Sequence, residues 1–280
     1  DYPAFRWREK RFIPIDAARV REIVQTPKDK GASPLRAEKT GSNWNLRPSN
    51  VPGDSENMNS WLSSLVFLTA EDFLAEKKDS TEGKKWLSGS KSLVHFSLAS
   101  DGSEKFEFEI KEKKSKDQST LIAVSPSLDP VFKLDSEAAK RLTKKVSDLQ
   151  LSKLLGSIDR FNVRTIEFSS KKIGDHPVIL STAGSKKATE LLEKLTGNRI
   201  RSWQPQNKNQ SPESVRLILR DQKNETIQDY TFWKEKDRLY AVQNIQGQSH
   251  ANLSLEVDPE IAASIPWDGS VSSFEAGPSK

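Results

Sequence analysis

The stretch Val131-Phe-Lys-Leu-Asp135-Ser-Glu-Ala-Ala-Lys-Arg-Leu142 sets the organisation of the chain, because a close copy returns as Leu253-Ser-Leu-Glu-Val-Asp258-Pro-Glu-Ile-Ala-Ala-Ser-Ile265. Each copy runs from an alternating strand into an Asp, then Ser or Pro, then Glu, then small residues, which is how a strand leads into a capped helix. The two aspartates lie 123 residues apart in a chain of 280. The repeat predicts that the chain was built by tandem duplication.

The segments around both copies have the pattern of antiparallel meanders. In the first half, Phe106, Phe108 and Ile110 alternate with Glu and Lys. This pattern predicts a sheet with one face exposed to solvent, as is typical of antiparallel sheets. Each half also contains a helix with one apolar face. Asp54 or Ser55 can cap the first helix, and Ser185 caps the second. Their apolar residues are Met58, Trp61, Leu62, Leu65 and Val66, then Ala188, Leu191, Leu192 and Leu195. We therefore predict an α+β fold of tandem duplicated units, each an antiparallel β-meander followed by a packed helix.

The repeat also predicts the domain boundaries. We expect residues 1–155 to form the first half, residues 156–265 the second, and residues 266–280, rich in Ser, Gly and Pro, a loosely held tail. Within these halves we predict two short strands between Arg11 and Gln25, broken near Asp16-Ala17, and a helix from Ser136 to about Leu149. The segment Gln204 to Gln210 is predicted as a loop, and no element is predicted in the charged stretch from Glu76 to Lys85.

Composition excludes several classes of protein. The chain is 34% hydrophobic and 30% charged, with a mean hydropathy of −0.68, which is typical of a folded protein with a generous polar surface. Its 44 basic and 39 acidic residues are interspersed, so the net charge of +5 indicates a mixed-charge surface and no nucleic-acid partner. The absence of cysteine excludes disulfides, thiolate metal sites and Cys nucleophiles, and suits an oxidising compartment.

Residue patterns that carry chemistry are missing from the sequence. The three histidines, His95, His176 and His250, are scattered and have no His or carboxylate at metal-ligand spacing, so we predict structural or surface roles for them. Neither a Gly-rich phosphate loop nor a Gly-x-Ser-x-Gly elbow is present. We therefore predict a protein that is not an enzyme and has no cofactor and no metal site.

The acidic pairs of the repeated stretch are interpreted as helix caps. Asp135 with Glu137, and Asp258 with Glu260, would otherwise be acid/base candidates. An Asp before a helix and a Glu in its first turn stabilise the helix by accepting amide hydrogens and by matching the helix dipole. We expect both pairs to act in folding and not in catalysis.

Tryptophan supplies the only candidate binding residues. Three of the seven, Trp44, Trp61 and Trp233, are explained by apolar periodicity. The candidates for surface aromatics are Trp7, Trp86, Trp203 and Trp267. The last three are our predicted binding residues, and with exposed lysines they would suit a cell-wall or glycan-binding module, which is the alternative function.

The N-terminal residues allow two interpretations. Between Asp1 and Arg11 the chain combines Phe5 and Trp7 with four cations, a composition that suits the headgroup zone beside a membrane helix. The same residues are compatible with an edge strand that has a basic flank. No run approaches the roughly 18 apolar residues of a membrane span. Because the chain begins at Asp1 without a Met, we expect a longer protein whose anchor or signal lies outside this sequence.

One group of motifs resembles a known family. Leu35 to Lys39, Gly41, Trp44-Asn-Leu46 and Pro48, followed by Asp54 and a helix with Leu62, Leu65 and Leu68, resemble the signature of the bacterial domain of unknown function 4340 family. The segment Asp159 to Phe168 is also similar, and the resemblance covers roughly residues 11–265. The second half departs from the pattern, since it has Arg201-Ser-Trp203-Gln in place of a full Lys-Gly-Trp-Leu hairpin.

The resemblance implies a location and a type of partner. Members of this family typically have an N-terminal membrane helix and an extracytoplasmic body, and some are auxiliary subunits beside gliding-motility-type ABC transporters. The family brings no catalytic residues. We therefore expect a non-enzymatic protein on the periplasmic side of a bacterial inner membrane, tethered there by a helix outside this sequence. Its expected partner is a membrane protein or an envelope assembly.

Overall fold

The computed structural model describes residues 10–267, except 30, 103, 116–117, 157, 175, 206–212 and 245–252. The chain divides into two compact units, Asp1–Gln150 and Leu151–Lys280. Both combine antiparallel sheets with a few helices, so the fold is α+β.

The first unit is built on a nine-stranded sheet in which every neighbouring pair is antiparallel. Its strands are β1 (Val20–Pro27), β2 (Leu35–Thr40), β3 (Asn43–Arg47), β4 (Val51–Pro52), β5 (Asp72–Ala75), β6 (Lys91–Ser100), β7 (Lys105–Ser115), β8 (Gln118–Val124) and β9 (Val131–Leu134). The order in the sheet is β4-β3-β2-β1-β6-β7-β8-β9-β5. Among the described residues, its helices are a 3-10 helix (Ala17–Arg19), α1 (Ser55–Val66), α2 (Thr81–Leu87), α3 (Ala138–Leu142) and α4 (Val146–Leu149).

Helix α1 closes the core of the first unit. Asp54 begins it by accepting hydrogen bonds from the backbone N–H groups of Glu56 and Asn57, so it is the cap of the two candidates, Asp54 and Ser55, that the sequence offers. The five apolar residues predicted for its inner face are all buried. The indole N–H of Trp61 donates to the carbonyl of Leu142 at 2.7 Å, which ties α1 to the end of α3.

The second unit is a seven-stranded antiparallel sheet. Its strands are β10 (Thr165–Ser169), β11 (Val178–Ser181), β12 (Ile200–Pro205), β13 (Ser214–Arg220), β14 (Thr226–Glu235), β15 (Arg238–Gln243) and β16 (Leu253–Val257), in the order β11-β10-β13-β14-β15-β16-β12. Its helices are α5 (Lys186–Gly197) and two 3-10 helices (Arg160–Asn162 and Pro259–Ser264). Ser185 caps α5 and the four predicted apolar residues are buried, as expected.

Seven strands follow the same order in both units. The order β2-β1-β6-β7-β8-β9-β5 of the first unit corresponds position by position to β11-β10-β13-β14-β15-β16-β12 of the second. Helix α1 precedes β5, and helix α5 precedes β12, at equivalent points of the chain. The hairpin of β3 and β4 and helix α2 have no counterpart among the described residues of the second unit.

The repeated aspartates both hold the turn after the last strand of their unit. Asp135 Oδ1 accepts from the N–H of Glu137 at 3.1 Å, and Asp258 Oδ1 accepts from the N–H of Glu260 at 3.2 Å. Only part of the helix-cap prediction is correct. Asp258 caps a helix, but that helix is a short 3-10 helix. Asp135 is not the predicted N-cap, because α3 begins after Glu137, which makes no side-chain cap hydrogen bond, and Asp135 holds the turn before it.

The predicted helix from Ser136 to Leu149 is interrupted. It consists of α3 and α4 with Thr143–Lys145 between them. The side chain of Gln25, only 2% exposed, donates to the carbonyl of Lys144 and accepts from its N–H, both at 2.8 Å. Because Gln25 occupies both backbone groups of Lys144, a continuous helix cannot use them.

Three other predictions about elements are corrected. Between Arg11 and Gln25 only β1 is a strand, because residues 12–16 belong to no element and Asp16 begins the 3-10 helix. The charged stretch from Glu76 contains the start of α2, where Ser80 caps the helix by accepting from the N–H of Gly83. Residues Gln204 and Pro205 belong to β12, and the rest of the predicted loop lies outside the described residues.

Both predicted boundaries of the second half shift. Leu154 and Leu155 lie in the core of the second unit, with 0% and 1% exposure, although the sequence assigned them to the first half. The Tyr230 hydroxyl donates to the Leu154 carbonyl at 2.6 Å, and burial raises the pKa of that phenol. The predicted tail also begins too early, because Pro266 is buried and Trp267 packs against the same core. Residues 268–280 lie outside the described part.

Candidate functional site: an apolar groove in the first unit

The two repeated aspartates contact arginines of their own units. Asp135 receives two hydrogen bonds from Arg141, at 2.8 and 3.2 Å, and this guanidinium holds the pKa of the Asp135 carboxyl below its ordinary value. Asp258 lies 3.4 Å from a guanidinium nitrogen of Arg201. Both carboxylates are therefore engaged by a backbone N–H and an arginine.

No metal-binding cluster of His, Asp and Glu occurs among the residues that the structure describes. His95 lies in β6, with Nε2 at 3.9 Å from a carboxylate oxygen of Glu107. His176 is exposed, and His250 falls outside the described residues.

The three predicted binding tryptophans are half-buried, and each packs against its own unit. Trp86, on α2, packs against Ala75, Ile122 and Val131. Trp203, on β12, packs against the core of the second unit, and its indole nitrogen is buried without a hydrogen-bond partner among the described residues. Trp267 donates from its indole nitrogen to the Ala262 carbonyl at 2.7 Å, and the Lys234 ammonium lies 4.6 Å from its ring centre. Trp7 lies outside the described residues.

The first unit has an open groove of about 740 Å³ with a mainly apolar lining. We call it the apolar groove; residues 11–17 line it together with Phe67, Phe73, Leu128, Pro130 and Phe132. This volume lies within the range of about 300–1,000 Å³ typical of ligand pockets.

Aromatic packing forms the buried part of the apolar groove. Phe132 of β9 stacks on Phe12, with ring centres 4.5 Å apart and planes 19° apart. Phe73 of β5 packs on the same Phe132 at 5.4 Å. β5 and β9 are neighbouring antiparallel strands that place Phe73 opposite Phe132, so the sheet register fixes this contact.

The rim of the groove exposes a phenylalanine. Phe67 is the residue at which α1 ends, and it is 59% exposed. Pro14 and Asp16 are also exposed, whereas Ile13 and Ile15, which alternate with them along the chain, are buried. The groove thus has a buried floor and an accessible apolar rim.

Arg11 is the cation of the groove. Its guanidinium lies 4.9 Å from the centre of the Phe67 ring, within the range of a cation–π contact. Its Nε is buried and has no hydrogen-bond partner among the residues described. The chain is fixed beside it, because Arg11 pairs with Thr69 in an isolated antiparallel bridge and Ala70 N–H donates to the Lys10 carbonyl at 2.8 Å.

Sequence reasoning missed this groove. Arg11 was interpreted as part of a basic flank, and Phe12, Ile13 and Ile15 as strand residues. The lining comes from three segments of the chain, residues 11–17, 67–73 and 128–132, which no local pattern connects. The one available signal was Phe67, a large apolar residue immediately beyond the apolar face of α1.

Among the described residues, none of the helices has the length and apolar character needed to cross a membrane. No family model, curated protein or solved structure matches the chain.

Proposed function

We propose that this chain is the extracytoplasmic body of a membrane-tethered protein that binds a partner protein of the bacterial envelope. In this role it is a non-enzymatic auxiliary subunit of an envelope or ABC-transporter-type assembly, on the periplasmic side of the inner membrane. The tether is a helix outside this sequence. The resemblance to the domain of unknown function 4340 family supports the location and the type of assembly, and the absence of cysteine is consistent with both.

The observation that carries the proposal is the exposed apolar rim of the groove. A phenylalanine that is 59% exposed beside a stacked arginine has the composition of an interface centre, where aromatic residues and arginine contribute most of the binding energy. Contiguous exposed apolar surface marks interaction sites in folded proteins. We therefore assign the groove to a polypeptide segment of the partner.

The proposal includes the duplication. The shared order of seven strands and the equivalent turns at Asp135 and Asp258 support an origin of both units from one ancestral unit. In this account the groove is a specialisation of the first unit.

The test is site-specific cross-linking in native membranes. The full-length protein would carry a photoreactive phenylalanine analogue at position 67 or at position 161. Phe161 is the matched control, because it is 75% exposed, lies outside the groove and has its own stacked arginine, Arg160, at 5.3 Å.

We expect position 67 to give one discrete adduct with an envelope protein, and position 161 not to give it. An excess of wild-type protein without the probe should compete for the partner and remove the adduct. The same excess of Phe67→Ala protein should remove less of it. Recovery of the full-length protein untethered in the cytoplasm, or identical adducts from both positions, would contradict the proposal.

A further inference from the structure

We infer that the apolar groove binds a peptide segment in which an apolar side chain is followed by a carboxylate, and that Arg11 receives this carboxylate. The inference rests on the proposed function, and it specifies the chemistry of the partner segment.

The charge of Arg11 is not neutralised by the described residues. Arg11 forms no ion pair with any residue that the structure describes, and its Nε lacks a hydrogen-bond partner. Buried polar atoms in folded proteins are almost always hydrogen-bonded, so Arg11 has donor capacity that the described residues leave unused. An arginine that stacks on an aromatic ring keeps its N–H edge available for a carboxylate, which it binds with two parallel hydrogen bonds.

A second arginine that stacks on a phenylalanine among the described residues provides a comparison. Arg160 lies over Phe161 in the second unit, and its Nη1 donates to Glu193 at 3.2 Å. The pair in the second unit thus has a carboxylate supplied by its own chain. The pair in the groove receives none from the described residues, so an acidic partner segment would complete it.

The open shape of the groove favours a polypeptide segment over a small molecule. Small-molecule sites usually bury 70–90% or more of a ligand, which requires enclosing walls. Here Phe67, Pro14 and Asp16 on the rim are exposed, so a small ligand would leave the rim in water. A polypeptide segment covers the floor and the rim together.

The charges along the groove favour one direction of the bound segment. Asp16, five residues beyond Arg11, is the anion among the lining residues, and its Oδ1 accepts from the N–H of Ala18. It repels a second carboxylate. The acidic group of the partner therefore belongs at the Arg11 end, and the groove binds the segment in one orientation.

The experiment measures fluorescence anisotropy of two labelled peptides with the whole chain at low salt. The peptides are Ser-Leu-Phe-Asp-Leu-Ser and the same sequence with Asn in place of Asp, both capped at their termini. The proteins are wild type, Arg11→Gln, Arg11→Lys and Phe67→Ala, with Arg160→Gln and Phe161→Ala as matched controls. Circular dichroism and thermal unfolding establish that every variant is folded.

We expect the Asp peptide to bind at least tenfold more tightly than the Asn peptide to the wild type and to both controls. Arg11→Gln should remove the difference, Arg11→Lys should restore part of it, and Phe67→Ala should weaken both peptides. Equal binding of the two peptides, no measurable binding of either, or an equal loss in Arg160→Gln would overturn the inference. Displacement of the bound peptide by dodecanoate at lower concentration than by unlabelled peptide would assign the groove to an acyl chain and would also overturn it.

The two failures are distinguishable. Equal binding of both peptides, lost in Phe67→Ala, rejects the carboxylate and leaves the docking proposal in place. Identical adducts from positions 67 and 161 reject the docking proposal itself.

Discussion

At the scale of single residues, the repeated aspartates have the same backbone role and different side-chain partners. Asp135 and Asp258 each accept one N–H from the residue two positions later. Asp135 is also held by two hydrogen bonds from Arg141, whereas the Arg201 nitrogen is 3.4 Å from Asp258. This difference makes the first aspartate the more strongly engaged of the two.

We expect Asp258→Ala to lower the free energy of unfolding by about 0.5–2 kcal/mol, the range for losing a helix cap. Asp135→Ala should lower it by about as much, because it removes the acceptor of one backbone N–H in the turn and of two hydrogen bonds from Arg141. The double variant should be close to the sum, because the two residues share no partner. Urea unfolding of the four proteins measures this. Asp237→Ala, an exposed aspartate in the turn between β14 and β15, is the control and should change little. A loss of partner binding without loss of stability would contradict the structural role of the two aspartates.

The ion pair of Asp135 predicts a pH dependence. Because Arg141 lowers the pKa of this carboxyl below its ordinary value of 3.8, the folded state favours the ionised form. The stabilisation is present above about pH 3.8 and is lost as the pH falls through the lower pKa of the folded state. The stability difference between wild type and Asp135→Asn should therefore be constant from pH 6 to pH 5 and shrink below pH 3.8. Urea unfolding at each pH tests this, and a difference that grows on acidification would show the opposite sign.

At the scale of elements, α2 depends on one glycine. A Cβ added to Gly83 would lie 2.3 Å from the Lys77 carbonyl oxygen and 2.5 Å from that of Lys78, and both are backbone atoms that cannot rotate away. Gly83 therefore allows the loop before α2 to fold over the first turn of the helix. Gly197, the last residue of α5, has no atom within 4 Å of the corresponding position.

Alanine at these two glycines should have opposite effects. Gly83→Ala should displace α2, expose Trp86 and lower the stability of the first unit by about 2 kcal/mol or more, since a strained backbone contact has to be relieved. Gly197→Ala should be neutral or stabilising by up to about 1 kcal/mol, because alanine favours helix. Tryptophan fluorescence and thermal unfolding measure both. An undisturbed Trp86 signal in a stable Gly83→Ala protein would show that the loop before α2 adapts.

Local sequence patterns predict some of the elements and not others. The sequence predicted α1 and α5 with their caps and apolar faces, because capping and 3.6-residue periodicity are local properties. It did not predict the break at Lys144 or the Asp72–Ala75 strand. Gln25 and Lys144 lie 119 residues apart, and β5 is defined only by its pairing with β9. Contacts of this kind have no signature within a single window of sequence.

At the scale of the whole molecule, each unit has its own sheet and its own core. The Leu154 and Leu155 side chains decide the boundary, because both are buried among residues of the second unit. The candidate site depends on the same long-range level of structure. Arg11, Phe67 and Phe132 were each visible in the sequence, but their meeting in one groove follows from strand order and could not be predicted.

We expect residues 1–150 and residues 151–280 each to fold when produced separately, with one cooperative unfolding transition apiece. The control is a cut at the boundary that the sequence predicted, giving residues 156–280. This piece lacks Leu154 and Leu155 and the acceptor of the Tyr230 hydroxyl, so it should be less stable than residues 151–280 by at least about 3 kcal/mol. Urea unfolding with fluorescence detection compares them. Equal stability of the two C-terminal pieces would place the boundary elsewhere.

The common strand order also fixes when each sheet can be completed during synthesis on the ribosome. In both units the edge strand that follows the main helix, β5 or β12, pairs with the last strand of its unit, β9 or β16, and with no other strand that the structure describes. A nascent chain that has passed Pro205 therefore carries β12 without its neighbour until Leu253–Val257 has been made. Unpaired strands recruit other chains. Stalling of translation in this interval would leave the second unit open to aggregation, and chaperones that cover exposed strands would act there.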